Sequence, residues 1–513
     1  MRRSILGALV WLTLALPAQP QPPSGAHAAT PKLVVAIVID QFRYDYLTRF
    51  HSEYTGGFKR FFERGAVFTN AHFEHVPTVT AVGHSTFLSG ATPALSGIIG
   101  NEWWDRASKK RVTSVSDEET KLLGSTGEGS SPNRMLQSTL GDEMKMSGKG
   151  GKVVGVSIKD RAAILPSGHM ADGAYWFDGK TGNFVSSTFY FDALPEWVAQ
   201  FNASRPADKY VGKSWMGKTM AAMADAKFYA ALDATPFGND LILQFAERAM
   251  VAEKLGAGAK VDLLTVSFSA NDYVGHALGP DSEEAHDMAL RVDKQVGELI
   301  RAAEAQAGVG RVLVVLTADH GVSPVPEVNQ KRKMPGGRFD EKNELDTVEK
   351  TLTARFGAAP AGGKWIQHSG EGSLFLAGPP TVDMAEEERV AADAIRALPH
   401  VFRVYTRTQL MNGALLEDPV GVRMRNGFNA ARSGNVIVML DPYWIVGRTG
   451  TTHGAPFDYD THVPILFLGA QVRAGRYDAN IMVNDIAPTL ATILEVETPS
   501  GSIGRVLDEM LVK

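Results

Sequence analysis

Leu33-Val34-Val35-Ala36-Ile37-Val38-Ile39 is an unbroken apolar run that ends on Asp40. Seven aliphatic residues without polar alternation read as a strand buried on both faces, the form taken in a parallel sheet covered by helices. Comparable runs recur at 152–157, 262–267, 311–316, 435–440 and 464–468. Helical patterns fall between them. The clearest spans 283–305, where Ala285, Met288, Ala289, Val292, Val296, Leu299 and Ile300 recur near a 3.6-residue period. This alternation predicts an α/β fold, a doubly wound and mostly parallel sheet with helices on both faces. Glycine-, proline- and serine-rich stretches at 124–132, 335–338 and 357–363 read as surface loops. The spans 103–151 and 321–434 are expected to hold insertions around a site.

Composition narrows the chemistry. The chain has 513 residues, 44% of them hydrophobic, enough for a large core, and a formal charge of -5. Neither a basic nucleic-acid footprint nor a polyacidic tail is present, so no nucleic-acid partner is expected. Thirteen histidines and no cysteine exclude disulfides, thiolate nucleophiles and iron–sulfur clusters. Any metal ion must be held by histidine and carboxylate.

The first 28 residues read as an export signal. Arg2 and Arg3 precede a short apolar run from Ile5 to Leu16, and Ala26-His27-Ala28 fits a small-x-small cleavage site, with Ala18 as a rival. Removing two arginines and no acid takes the formal charge from -5 to -7. The expected product is one catalytic domain over 29–513, periplasmic or secreted, with no stable membrane insertion after cleavage. Oligomeric state is left open.

Polar residues cluster just after the apolar runs. Asp40 follows the first, Lys159 and Arg161 the second, Asp272 and His276 the third, and Asp319 and His320 the fourth. Open α/β sheets bind ligands at the carboxyl ends of their strands, so distant segments deliver these groups to one edge. Asp272-x-x-x-His276 places carboxylate and imidazole on one side of a helical turn. His453 lies in a glycine-flanked loop, Gly450 to Gly454, where backbone can approach closely. Singly, an aspartate after a strand also serves as a helix cap. Jointly, three aspartates and three histidines make two three-ligand sites suited to zinc, with manganese or cobalt as alternatives. Two divalent ions bring +4 against -3, a field that favours a phosphate dianion.

Thr80 is the nucleophile candidate. It opens a helix expected from about 81 to 90, where free backbone N–H groups favour an anion. A metal ion touching its hydroxyl would lower the hydroxyl pKa, so Thr80 is also a candidate metal contact. Lys159 and Arg161 share one face if strand geometry persists through them, and could hold the extra charge of a monoester.

Six segments together resemble the phosphate-irrepressible, periplasmic branch of the alkaline phosphatase superfamily, which is related to type I phosphodiesterases and nucleotide pyrophosphatases. They run from Val38-Ile39-Asp40-Gln41-Phe42-Arg43 through Pro77-Thr78-Val79-Thr80-Ala81-Val82-Gly83-His84 and Gly100-Asn101-Glu102-Trp103-Trp104. Ser157-Ile158-Lys159-Asp160-Arg161, Thr317-Ala318-Asp319-His320-Gly321 and Thr452-His453-Gly454 complete the set. The resemblance spans residue 32 to the C-terminus. It implies two zinc ions per chain, one held by Asp40, Asp319 and His320, the other by Asp272, His276 and His453. It makes Thr80 the transiently phosphorylated residue and sets Asn101, Lys159 and Arg161 on the phosphate oxygens. The implied reaction is hydrolysis of small phosphate monoesters, since related diesterases generally lack the lysine–arginine pair. A nucleotide phosphodiesterase and a non-catalytic scaffold that kept the fold are the alternatives. A sulfatase would start from Cys or Ser in a Cys/Ser-x-Pro-x-Arg context, and this chain has Thr80-Ala81-Val82.

Other features take plainer readings. His84 is expected to be structural, His462 to be structural or to support the site from behind its ligands, Trp103 and Trp104 to pack or to border the site, and Lys331-Arg332-Lys333 to be a solvated face. Glu386-Glu387-Glu388 is expected at an exposed helix start.

Overall fold

The computed structural model describes residues 30–415 and 417–512, so the expected export signal at 1–28 lies outside the described residues. Eleven strands form the main sheet. Their order is Gly475–Tyr477, Ala66–Phe68, Ile465–Gly469, Val312–Thr317, Leu33–Ile39, Val261–Phe268, Gly150–Ser157, Gly173–Asp178, Asn183–Ser187, Ser116–Leu123 and Glu128–Ser130. The five strands from Val312–Thr317 to Gly173–Asp178 run parallel. Leu33–Ile39 sits among them with every residue buried, as its unbroken apolar run requires.

Helices cover both faces. Gly57–Arg64, Pro236–Ala252 and Glu283–Ala307 pack together on one. Thr80–Ser89, Leu140–Met146, Asp160–Ile164 and Ile486–Leu494 form the other layer. Glu283–Ala307 begins where Ser282 caps it by accepting from the Ala285 N–H, a contact worth about 1 kcal/mol. It buries Met288, Val292, Val296, Leu299 and Ile300, the stripe read from the sequence. Each such side chain stabilises the fold by roughly 1.5–3 kcal/mol.

Two of the strand candidates take places that their apolar runs do not specify. Ile465–Gly469 belongs to the main sheet but runs antiparallel to Val312–Thr317. Val436–Leu440 lies outside that sheet, in a four-stranded antiparallel one with Ile366–Gly370, Ser373–Leu376 and Val401–Thr406. An apolar run reports burial on both faces and carries no information on strand direction or sheet membership. Helices Glu341–Phe356 and Met384–Arg396 pack on each other, and the second lies against this smaller sheet. Glu387 and Glu388 are buried, contrary to the exposed helix start expected. Glu388 accepts from Asn435 at 3.0 Å and from the Thr408 N–H at 2.9 Å, which compensates its desolvation. Among the described residues, no helix is long and apolar enough to cross a membrane.

Candidate active site

Parallel register builds the site. Ile39 pairs with Phe268, Val38 with Thr317, and Ser267 with Ser157. Asp40, Asp319 and Lys159 therefore leave the sheet at one edge, and the helix Ala270–Leu278 carries Asp272 and His276 there. Gly83 lets the Thr80 helix approach, since a Cβ on it would clash with the Asp319 carbonyl. Gly450, at φ +61°, does the same for the His453 loop against the His276 carbonyl.

The six expected ligands fall into two trios whose donor atoms lie within 4.8 Å of one another: Asp272, His276 and His453, and Asp40, Asp319 and His320. Within the first, Asp272 Oδ1 is 3.2 Å from His276 Nε2 and 3.7 Å from His453 Nε2. Within the second, His320 Nε2 is 3.5 Å from Asp40 Oδ1 and 3.4 Å from Asp319 Oδ2.

The residues present fit metal ions. All three imidazoles turn Nδ1 to a backbone carbonyl: His276 to Thr451 at 2.8 Å, His453 to Thr78 at 2.7 Å and His320 to Gly321 at 2.9 Å. Donation from Nδ1–H fixes the tautomer and leaves the Nε2 lone pair facing its trio. Asp40 Oδ1, in a fully buried carboxylate, has no hydrogen-bond partner. Burial, and then the Asp319 carboxylate, push Asp40's carboxyl well above the usual range. Burial also opposes ionisation of Asp272, but Lys159, His276 and His453 outweigh it and hold that carboxyl well below the usual range. Three buried carboxylates against one lysine form a site short of positive charge.

Lys159 lies between the trios, its Nζ 2.6 Å from Asp40 Oδ2 and 2.7 Å from Asp272 Oδ2. Burial opposes its charge, but Asp272 and Asp40 outweigh burial and raise its ammonium pKa. Thr80 is the first residue of Thr80–Ser89, with its Oγ1 3.4 Å from Lys159 Nζ and 3.5 Å from His320 Nε2. Asn101 Oδ1 accepts from the Ala81 N–H at 2.9 Å, which fixes the amide and leaves its NH2 to donate elsewhere.

The strand geometry expected for Lys159 and Arg161 does not persist. The strand ends at Ser157, Lys159 is the N-cap residue of Asp160–Ile164, and Arg161 is inside that helix. The two cations are neighbours through a turn and do not share a pleat. Arg161 pairs at 3.8 Å with Asp160, and its charge bears on Lys159 and Glu371.

Two contributors escaped the sequence reading. Gln41, at φ +60°, donates its backbone N–H to Asp319 at 3.1 Å and its amide to Asp272 at 2.6 Å, one contact to each trio. Glu371, in the turn between Ile366–Gly370 and Ser373–Leu376, accepts from the Asn101 N–H at 3.1 and 3.2 Å. The structural expectations for His84 and His462 hold. His84 bonds Thr80 O at 2.9 Å and Ser267 at 3.0 Å, and His462 stacks on Tyr44. Trp103 is buried, and Trp104 stacks on His368.

Residues 34–462 match the family model described as type I phosphodiesterase / nucleotide pyrophosphatase. The chain belongs to this family. Within the family it sits with the PafA-like alkaline phosphatases. It is 38% identical to alkaline phosphatase PhoV of Synechococcus elongatus, over 94% of this chain and 93% of that one. It is 35% identical to alkaline phosphatase PafA of Elizabethkingia meningoseptica, over 94% of each chain. The crystal structure of PafA superposes with a TM-score of 0.88 at 33% identity, covering 94% of this chain and 99% of that one. Murine ectonucleotide pyrophosphatase/phosphodiesterase 5, at 13% identity and a TM-score of 0.56 over 93% of this chain and all of that one, shares the fold.

Proposed function

We propose that the protein is an alkaline phosphatase, a zinc-dependent hydrolase of small phosphate monoesters that works through a phosphothreonine at Thr80. The observation that carries this is the pairing of two ligand trios, together short of positive charge and with Nε2 atoms facing inward, beside a threonine at a helix N-terminus. Near-full-length similarity to two alkaline phosphatases supports it.

Asp40, Asp319 and His320 would hold one zinc ion, and Asp272, His276 and His453 the other. Bound there, the ions would lower the Thr80 hydroxyl pKa and neutralise charge on the leaving oxygen. The chain's residues supply the rest. Thr80 Oγ attacks phosphorus as its proton passes to water, the P–O bond to the alcohol breaks, and the alkoxide takes a proton from water. Water then attacks the phosphothreonine, releasing inorganic phosphate and restoring Thr80. Lys159 and the Asn101 NH2 hold the non-bridging oxygens, with Arg161 as a further donor. Lys159 stays charged for this role.

Residues 1–28 are read as a cleaved export signal, with 103–151 and 321–434 as insertions on the catalytic domain. N-terminal sequencing of the mature protein tests the first point.

The function itself is tested on zinc-loaded protein with a matched monoester, diester and sulfate ester. The monoester should be turned over far faster than the other two, chelation should abolish turnover, and zinc should restore it. Asp272→Asn or His276→Gln should lower the zinc content from two to one, as should Asp40→Asn or Asp319→Asn. Preferred diester turnover would make it a phosphodiesterase, and no turnover of any ester would leave a scaffold.

A further inference from the structure

A cavity of about 370 Å³ opens beside the site, with Asn101, His276 and His453 in its wall. That volume lies within the range of small-molecule pockets. Val76, Val79, Ile99, Phe339, Trp444 and Ile445 give it an apolar lining. The smaller sheet contributes through Ile437 and Met439, so the cavity lies between that sheet and the core.

The charge of this wall is one-sided. Glu341, Glu344, Glu371 and Asp460 line the cavity, and among the described residues no lysine or arginine does. Glu344 is 6% exposed, and its Oε1 is buried without a hydrogen-bond partner. Asp460 is fully buried, and its Oδ1 is likewise unpartnered. Glu341 lies one helical turn before Glu344 on Glu341–Phe356 and adds to its negative field. Buried carboxylates without partners are costly and favour a bound cation. The phosphate end of the site is built the opposite way, on Lys159 and Arg161.

We propose that this cavity receives the leaving group and selects alcohols that carry an ammonium group beyond an apolar span. The inference rests on the phosphomonoesterase reading and adds the chemical class of its substrate. The apolar wall takes the carbon chain, and the acidic wall takes the cation. A leaving group with a second anionic charge meets an acidic wall that no lysine or arginine lines among the described residues.

Three phosphate monoesters of equal length test it: 4-aminobutyl, pentyl and 3-carboxypropyl phosphate. Their alcohols have similar intrinsic reactivity, so kcat/KM reads the pocket. The expected order is ammonium, neutral, carboxylate, with roughly tenfold or more between the extremes, the effect of one charge-assisted contact. Replacing the two carboxylates of the helix Glu341–Phe356, Glu341→Gln with Glu344→Gln, should narrow the spread severalfold. Methyl phosphate, which lacks the chain, reports the reaction alone. Turnover of methyl phosphate with equal kcat/KM for the three longer esters overturns the inference and leaves the phosphomonoesterase reading intact. So does a spread that the double variant leaves undiminished. If methyl phosphate and the three esters are all inert, the phosphomonoesterase reading falls and the inference falls with it.

Discussion

Gln41 donates its side-chain amide to Asp272 Oδ1 at 2.6 Å while its backbone N–H holds Asp319 at 3.1 Å. One residue thus orients a carboxylate in each of the two ligand trios. Hydrogen bonds to ligating side chains set their direction, and their loss typically weakens metal binding about 10- to 100-fold.

Gln41→Asn tests this coupling. Asparagine tolerates the φ of +60° at this position but is one methylene too short to reach Asp272. Competition with a chelator should show weaker zinc binding at the Asp272 site by about 10- to 100-fold. The Asp40 site, still held through the backbone, should change less. Equal losses at both sites would mean that the side-chain contact does not position Asp272.

Lys159 and Arg161 should set the preference for monoesters. A monoester keeps two negative charges on its non-bridging oxygens and a diester one. Each charge-assisted contact is worth roughly 1.5–3 kcal/mol, so Lys159→Ala or Arg161→Ala should cost about 10- to 150-fold in monoester kcat/KM. Diester hydrolysis should fall far less. A common factor for both substrates would mean that these cations do general electrostatic work. Lys159 sits 2.7 Å from Asp272, so zinc content is measured alongside to separate an effect on substrate from one on the metal site.

The positions of these groups were unequally legible in the sequence. Asp40, Asp319 and Lys159 could be placed together because each follows an apolar run, and parallel strands in register end at one edge. Asp272 and His276 could be paired because a helix brings residues four apart to one side, as Ala270–Leu278 does. Glu371 could not, because its place depends on how a second sheet docks on the first, which hydrophobic periodicity does not encode. Gln41 was equally silent: its two contacts require a positive φ at a non-glycine residue. The direction of 464–468 and the sheet that 435–440 joins were likewise not legible, since an apolar run carries neither strand direction nor pairing partner.

Glu344 gives a pH-dependent prediction. Burial, and then Glu341, raise its carboxyl from the ordinary 4.5 to about 7. The folded state therefore binds its proton more tightly than the unfolded state, and stability contributed by the neutral form is lost as pH rises from about 4.5 through about 7. Glu344→Gln removes that dependence. The variant should match the wild type near pH 4.5 and exceed it above pH 7, by at most roughly 3.5 kcal/mol at ~1.4 kcal/mol per pH unit. Denaturant unfolding at the two pH values measures it, and a constant difference would show that Glu344 titrates normally.

Covalent trapping at Thr80 tests the account most directly. Zinc-loaded protein is mixed with an excess of aryl phosphate monoester, quenched in acid, digested and examined by mass spectrometry, with Thr80→Ala in parallel. The account predicts a phosphoryl group on Thr80 and the loss of nearly all monoesterase activity in the variant, with zinc content and fold retained. A phosphoryl group on Thr78 or any other residue, or full turnover by Thr80→Ala, would contradict it.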